Sequence, residues 1–193
     1  NKPVDIETGI IFSNETLQDE VNFWIKDGKT NDYEYNADYP KTPNNNQFNI
    51  YGVHTNGDLS WVAISPELAA ESMPIGYQVP AAGTYMLSLS ETYYSDDLQA
   101  LYVTDHAVSP EITVDLMTNN YYFDVNQAET NDTRFTVSLQ VKSSGNGGVT
   151  TDNENIDVDK NQPIKFIYQD KLYILRNGVI YDGTGKQVKT INK

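Results

Sequence analysis

From Arg134 to Val141 the side chains alternate strictly: Phe135, Val137, Leu139 and Val141 on one side, Thr136, Ser138 and Gln140 on the other. A period of two belongs to a β-strand, whose successive side chains point to opposite faces, so one face is built for a core and the other for water. The pattern recurs. Tyr85, Leu87 and Leu89 alternate with Met86 and Ser88, and Val21, Phe23 and Ile25 alternate with Asn22 and Trp24. Strands are predicted at about Ile10–Phe12, Glu20–Lys26, Gln47–Val53, Leu59–Ile64, Thr84–Ser90, Leu98–Thr104, Glu111–Leu116, Tyr121–Val125 and Arg134–Val141. Between them fall the turn dipeptides Asp27-Gly28, Asn56-Gly57, Ala82-Gly83, Asn119-Asn120 and Asn131-Asp132. Helical signals are confined to Pro66–Met73, with Ser65 placed to cap and Pro66 at the first helical position. Short strands at such intervals without a long amphipathic helix predict an all-β fold, an antiparallel β-sandwich of the jelly-roll or immunoglobulin-like kind.

A second block of strands ends the chain. Asn177-Gly178 stands between LYILR and VIYD, and a two-residue Asn-Gly loop between apolar runs specifies a hairpin because both central residues need positive φ. Asp182-Gly183-Thr184-Gly185 turns the chain again before Lys186–Ile191, which predicts a short C-terminal β-meander. The expected organisation is a sandwich over 1–142, a Gly/Ser/Asn/Asp-rich linker over 143–162 and the meander over 163–193. At about 30 residues the meander is too small to enclose a core, so it is expected to lean on another element or a partner.

The chain of 193 residues carries 13 Lys and Arg against 27 Asp and Glu, a net charge of −14. Phosphate backbones need clustered cations, so nucleic-acid partners are set aside. The charge is uneven. The meander holds Lys165, Lys171, Arg176, Lys186, Lys189 and Lys193 against Asp170 and Asp182, so the tail is basic and the body acidic. The chain has no cysteine, which removes disulfides, thiolate metal sites and a cysteine nucleophile. No apolar run approaches the roughly 18 residues of a membrane-spanning helix, so no span is expected.

Searches for catalytic motifs end negatively. Gly28-Lys29-Thr30 resembles the end of a phosphate loop, but Phe23 stands where its first glycine belongs. His54 and His106 show no metal-ligand spacing, no GxSxG elbow exists, and Asp157 to Asn161 lacks the glycine and closing acid of a calcium loop. No enzyme activity, cofactor or metal is therefore expected. Arg134, one of two arginines, is expected to pin its turn through a nearby carboxylate such as Asp132 or Asp124.

Aromatic residues supply the one binding hint. The long loop Thr30–Asn46 holds Tyr33, Tyr35 and Tyr39 beside Asn44, Asn45 and Asn46. Flat rings stack on pyranose C–H faces while amides and acids take the hydroxyls, so these tyrosines, joined by Trp24 if its ring faces outward, are candidate glycan-binding residues. The competing reading is that the rings belong to the core, since tyrosine is also a favoured strand residue.

The final strands, with Asn177, Gly178, Val179, Tyr181, Asp182, Thr184, Gly185, Lys186 and Val188, resemble the sorting tails that Bacteroidetes use for type IX secretion. The body is similar to a β-sandwich module found just before such tails in large Bacteroidetes surface proteins. The matching residues are Thr30, Asp38 and Lys41 in the first long loop, Pro74, Ile75 and Gly76 in an "iPiG" strand, and Asn131, Asp132, Arg134 and Phe135 at the start of the last sandwich strand. The resemblance implies an extracellular or outer-membrane-surface location, a strand at Pro74–Gly76, and a non-enzymatic C-terminal module that sorts, anchors or presents upstream domains. Its partners would be those domains, with secretion machinery or cell-surface glycan beside them; the alternative is a carbohydrate-binding module.

Overall fold

The structure, a computed structural model, describes residues 3–93, 95–142, 164–168, 171–176, 179–182 and 186–190. The chain divides into two compact units, Lys2–Lys142 and Ser143–Lys193 with Asn1. The expected linker 143–162 lies outside the described residues, as does the Asp157–Asn161 run.

Among its described residues the first unit is all-β with a single short helix. Its strands are β1 (Asp5–Ser13), β2 (Gln18–Lys26), β3 (Tyr39–Pro40), β4 (Asn49–Gly52), β5 (Leu59–Ile64), β6 (Met73–Val79), β7 (Gly83–Leu89), β8 (Leu98–Asp105), β9 (Ile112–Asp115), β10 (Tyr121–Val125) and β11 (Glu129–Val141), with α1 (Pro66–Ala69) after β5. They form one continuous sheet in the order β10-β7-β1-β2-β5-β4-β6-β11-β8-β9, with β3 beside β5. Pairing is antiparallel except between β2 and β5, which run parallel.

This sheet folds over on itself. Phe123 of β10, at one end of the strand order, and Phe135 of β11, far along it, bring their ring centroids to 4.8 Å. Phe12 of β1 stacks on Phe48 at 4.6 Å and meets Tyr77 of β6 at 5.8 Å, while Tyr77 meets Phe123 edge-on at 5.4 Å. The strands β10, β7 and β1 therefore face β6 and β11 across a layer of interdigitated rings, which is the two-layer packing of a sandwich. The outermost strands β10 and β9 do not pair, so the sheet is not closed into a barrel. Offset and edge-on ring contacts contribute about 0.5–1.5 kcal/mol each beyond the area they bury.

Local sequence accounts for most elements. In β11, Phe135, Val137 and Leu139 are buried while Thr136 and Ser138 are half-buried and Gln140 is exposed. The register sets Val137 against Val103 and Leu139 against Leu101 of β8. Ser65 caps α1 in an extended conformation, its hydroxyl accepting the Leu68 N–H at 3.3 Å. The helix ends earlier than its signals suggest, because Met73 belongs to β6, where Ile75, Tyr77 and Val79 are buried. That strand came only from the resemblance: Met73, Ile75, Tyr77 and Val79 do alternate, but with Pro74 and Gly76, which are unfavourable inside a strand, between them. Gly76 is required by a close approach. A Cβ there would lie 2.3 Å from Tyr51 Cε2 and 2.5 Å from Asp132 Oδ1, the two groups that hydrogen-bond over it at 2.6 Å.

The second unit contains β12 (Ile164–Tyr168), β13 (Lys171–Arg176), β14 (Val179–Asp182) and β15 (Gln187–Thr190), paired antiparallel in sequential order. This is the expected meander. Arg176 pairs with Val179, and the two residues between them, Asn177 and Gly178, lie outside the described residues, as do Gly183, Thr184 and Gly185. Tyr181 and Asp182 belong to β14, and exposed Lys186 precedes β15.

Candidate functional site

The long loop after β2 is fastened by its own carboxylates. Glu34 takes the Lys29 ammonium at 2.8 Å on Oε2 and the Thr30 N–H at 3.1 Å on Oε1. The Lys29 contact leads in holding the Glu34 carboxyl below its usual range; partial burial works against it and the Thr30 amide reinforces it. The Glu34 carbonyl accepts the Ala37 and Asp38 N–H groups, both at 2.8 Å, closing a helical turn. Asp38 is 3 % exposed. Its Oδ2 accepts the Glu34 N–H and its Oδ1 the Ala63 N–H of β5, each at 2.7 Å. Lys41 pairs with Asp19 of β2, whose Oδ2 also accepts the Ile50 N–H at 2.8 Å. A buried carboxylate facing two backbone donors satisfies groups that would otherwise cost about 1–3 kcal/mol each.

His54 ties the loop from the other side. Its Nδ1 accepts the Asn56 N–H at 3.1 Å, so the proton of the neutral ring sits on Nε2 and donates to the Asn31 carbonyl at 3.0 Å. The ring also meets Tyr33, centroid to centroid, at 6.3 Å. Beneath the loop lies a cavity of about 180 Å³ bordered by Phe23, Asp38, His54, Val62 and Met73.

On its outer side the loop forms an open cleft of about 420 Å³ lined by Tyr33, Tyr35, Asn36, Asp38, Tyr39 and Pro40. Tyr35 is 84 % exposed and Tyr39 55 % exposed, although both are large aromatic residues. Three of the four candidate glycan-binding residues thus share one cleft. Trp24 does not line it: its Nε1–H donates to Asp5 at 2.7 Å, and the ammonium groups of Lys26 and Lys29 stand 4.6 Å and 5.4 Å from its ring centroid. Two of the three neighbouring asparagine amides are likewise engaged within their own turn: Asn44 Nδ2 donates to the Phe48 carbonyl at 2.9 Å and Asn46 Oδ1 accepts the Phe48 N–H at 3.1 Å. Asn36 is the amide that reaches the cleft. Sequence reasoning missed it because the turn closed by Glu34, which decides where residue 36 points, has no signal of its own.

Elsewhere, polar clusters hold the fold. Arg134 pairs with fully buried Asp105, through Nη2 at 2.8 Å and Nε at 3.1 Å, and its guanidinium carbon lies 4.5 Å from the Phe123 ring centroid. The partner is neither Asp132 nor the Asp124 carboxylate expected from sequence, because the pairing of β11 with β8 sets Phe135 opposite Asp105. Burial opposes the Arg134 charge, yet the Asp105 contacts outweigh it and raise the guanidinium pKa. Tyr121 donates to Asp105 Oδ2 at 2.8 Å, and its phenol is pushed up by burial and by the Asp105 charge.

His106 stands between Glu111 at 2.8 Å and Thr136 at 2.9 Å, the spacing of a nucleophile, base and orienting acid. The Glu111 side chain is 61 % exposed, and neither cavity borders these residues. Among the described residues no group of three or more His, Cys, Asp or Glu stands where it could hold a metal ion. No described helix is long and apolar enough to cross a membrane. Compared with family models, curated proteins and solved structures, the chain matches none.

Proposed function

We propose that the chain is a non-enzymatic C-terminal module of an exported cell-surface protein, its sandwich presenting upstream domains and its basic meander acting as a sorting tail. One observation carries this reading: the body residues of the resemblance serve the fold. Thr30 and Asp38 fasten the loop, Lys41 neutralises Asp19, Gly76 admits the Tyr51 ring, Asp132 receives the Tyr51 hydroxyl and Arg134 neutralises Asp105. That these residues build the fold, with none of them held free at an open site, supports reading the body as a structural module.

The test is export. The full chain, fused behind a reporter in a bacterium that has type IX secretion, is expected to bring the reporter to the cell surface, and the same fusion ending at Lys142 is expected to leave it inside. Equal surface delivery by both fusions, or by neither, would overturn the sorting role.

A carbohydrate-binding module is the second reading, favoured by the tyrosine cleft. Tyr35, within a turn, and Tyr39, in β3, stay in water beside an amide on a segment that is already fastened. Exposed rings on a pre-organised scaffold are how binding surfaces limit the entropy lost on association.

A further inference from the structure

We infer that the cleft of Tyr33, Tyr35 and Tyr39 selects an uncharged glycan, a chain of pyranoses with equatorial hydroxyls, over acidic or sulfated ones. The inference rests on the carbohydrate reading and adds the charge and shape of the ligand.

Charge comes first. The cleft is lined by three tyrosines, an asparagine, a proline and the buried Asp38, so among the described residues no cation lines it. The nearest lysines along the chain are already engaged: Lys29 with Glu34, Lys41 with Asp19, and Lys26 with Asp5. An anionic sugar would find only phenol and amide donors and no cation to neutralise it, within a chain of net charge −14. Like charges brought together at a binding surface cost affinity and slow the encounter. Nor does the site favour a cation, because both Asp38 oxygens already accept backbone N–H groups.

Shape comes second. A pyranose whose hydroxyls are equatorial offers a C–H face to a flat ring and a rim of hydroxyls to amide and phenol groups. The cleft supplies both, with Tyr35 and Tyr39 as exposed rings and Asn36 as the amide. Its volume of about 420 Å³ lies within the roughly 300–1,000 Å³ of small-molecule sites. The loop needs little ordering, since Glu34 and Asp38 already fix its turn.

The test is calorimetry and a glycan array with the full chain, using soluble β-glucan and xylan oligosaccharides as neutral probes and oligogalacturonate and heparin fragments as anionic ones. Binding to a neutral probe, weakened about tenfold or more by Tyr35→Ala or Tyr39→Ala with an unchanged melting temperature, is the expected result. Preference for an anionic probe would overturn the charge inference and leave the carbohydrate reading standing. Silence towards every glycan would overturn both, as would capture of a proline-rich peptide in place of sugar. Neutral-glycan binding that both tyrosine variants retain in full would remove the site from this cleft.

Discussion

Two aromatic groups in the sandwich have opposite fates. Phe12, Phe48, Tyr77, Tyr85, Phe123 and Phe135 are all at most 3 % exposed, whereas Tyr35 and Tyr39 stand in water. Residue type does not separate them, because Tyr77 and Tyr85 are as buried as the phenylalanines. The backbone around them does. Most of the buried rings sit on strands whose period of two and sheet pairing turn them inward. Tyr35 lies within a turn whose amides are satisfied by the Glu34 carbonyl and the Asp38 carboxylate, so this segment holds its shape without burying the ring. A ring kept out of the core by a saturated loop adds little to stability and is available for contact.

Phe123 lies at the centre of the buried ring layer. This ring meets Phe12, Tyr77, Tyr85, Tyr121 and Phe135 and underlies Arg134. Phe123→Ala is expected to destabilise the fold by about 3–5 kcal/mol, measured by chemical denaturation. A loss below about 1 kcal/mol would mean that the ring layer does not carry the sandwich.

Asp38 ties the exposed loop to β5 of the sandwich. In Asp38→Ala the Ala63 N–H is left buried without its acceptor and the loop loses its tie to β5. A loss of about 1–3 kcal/mol is expected, together with faster amide hydrogen exchange in residues 29–41 than in β11. Uniform exchange across the unit would show that the loop is not separately fastened.

The smallest effect concerns Asp58, an exposed acid whose pKa is raised, first by partial burial and then by the Asp132 charge. Between the ordinary carboxylate value near 3.8 and the raised folded value, the native state binds more protons than the unfolded chain. Stability from this group is therefore present at the acid end of that window and lost as pH rises through it. Asp58→Asn is expected to raise the melting temperature slightly near neutral pH and to flatten the profile in that window. A lowered melting temperature at neutral pH would contradict the sign.

Much of the fold was legible in the sequence because strand formation is local. The β5 and β10 boundaries coincide with the expected ones, and the Ser65 cap and Pro66 start of α1 follow from residue type alone. The strand β3 was not legible, since two residues carry no period, and β6 was obscured by Pro74 and Gly76. At the candidate site, the clustering of Tyr33, Tyr35 and Tyr39 in one loop was visible, and the separation of Trp24 from them was not.

Which segments alternate, where the chain turns, and that polar loop residues separate apolar strands all follow from residue order, because these depend on backbone sterics and on side chains a few residues apart. Tertiary structure alone decided that Arg134 meets Asp105, that Tyr51 lies over Gly76, and that Asp38 reaches Ala63. Those contacts join residues 25 to 29 positions apart along the chain, and in the first two cases different strands of one sheet. Strand order and register, which no local pattern encodes, fix which distant carboxylate is buried beside which donor and which rings are left facing water.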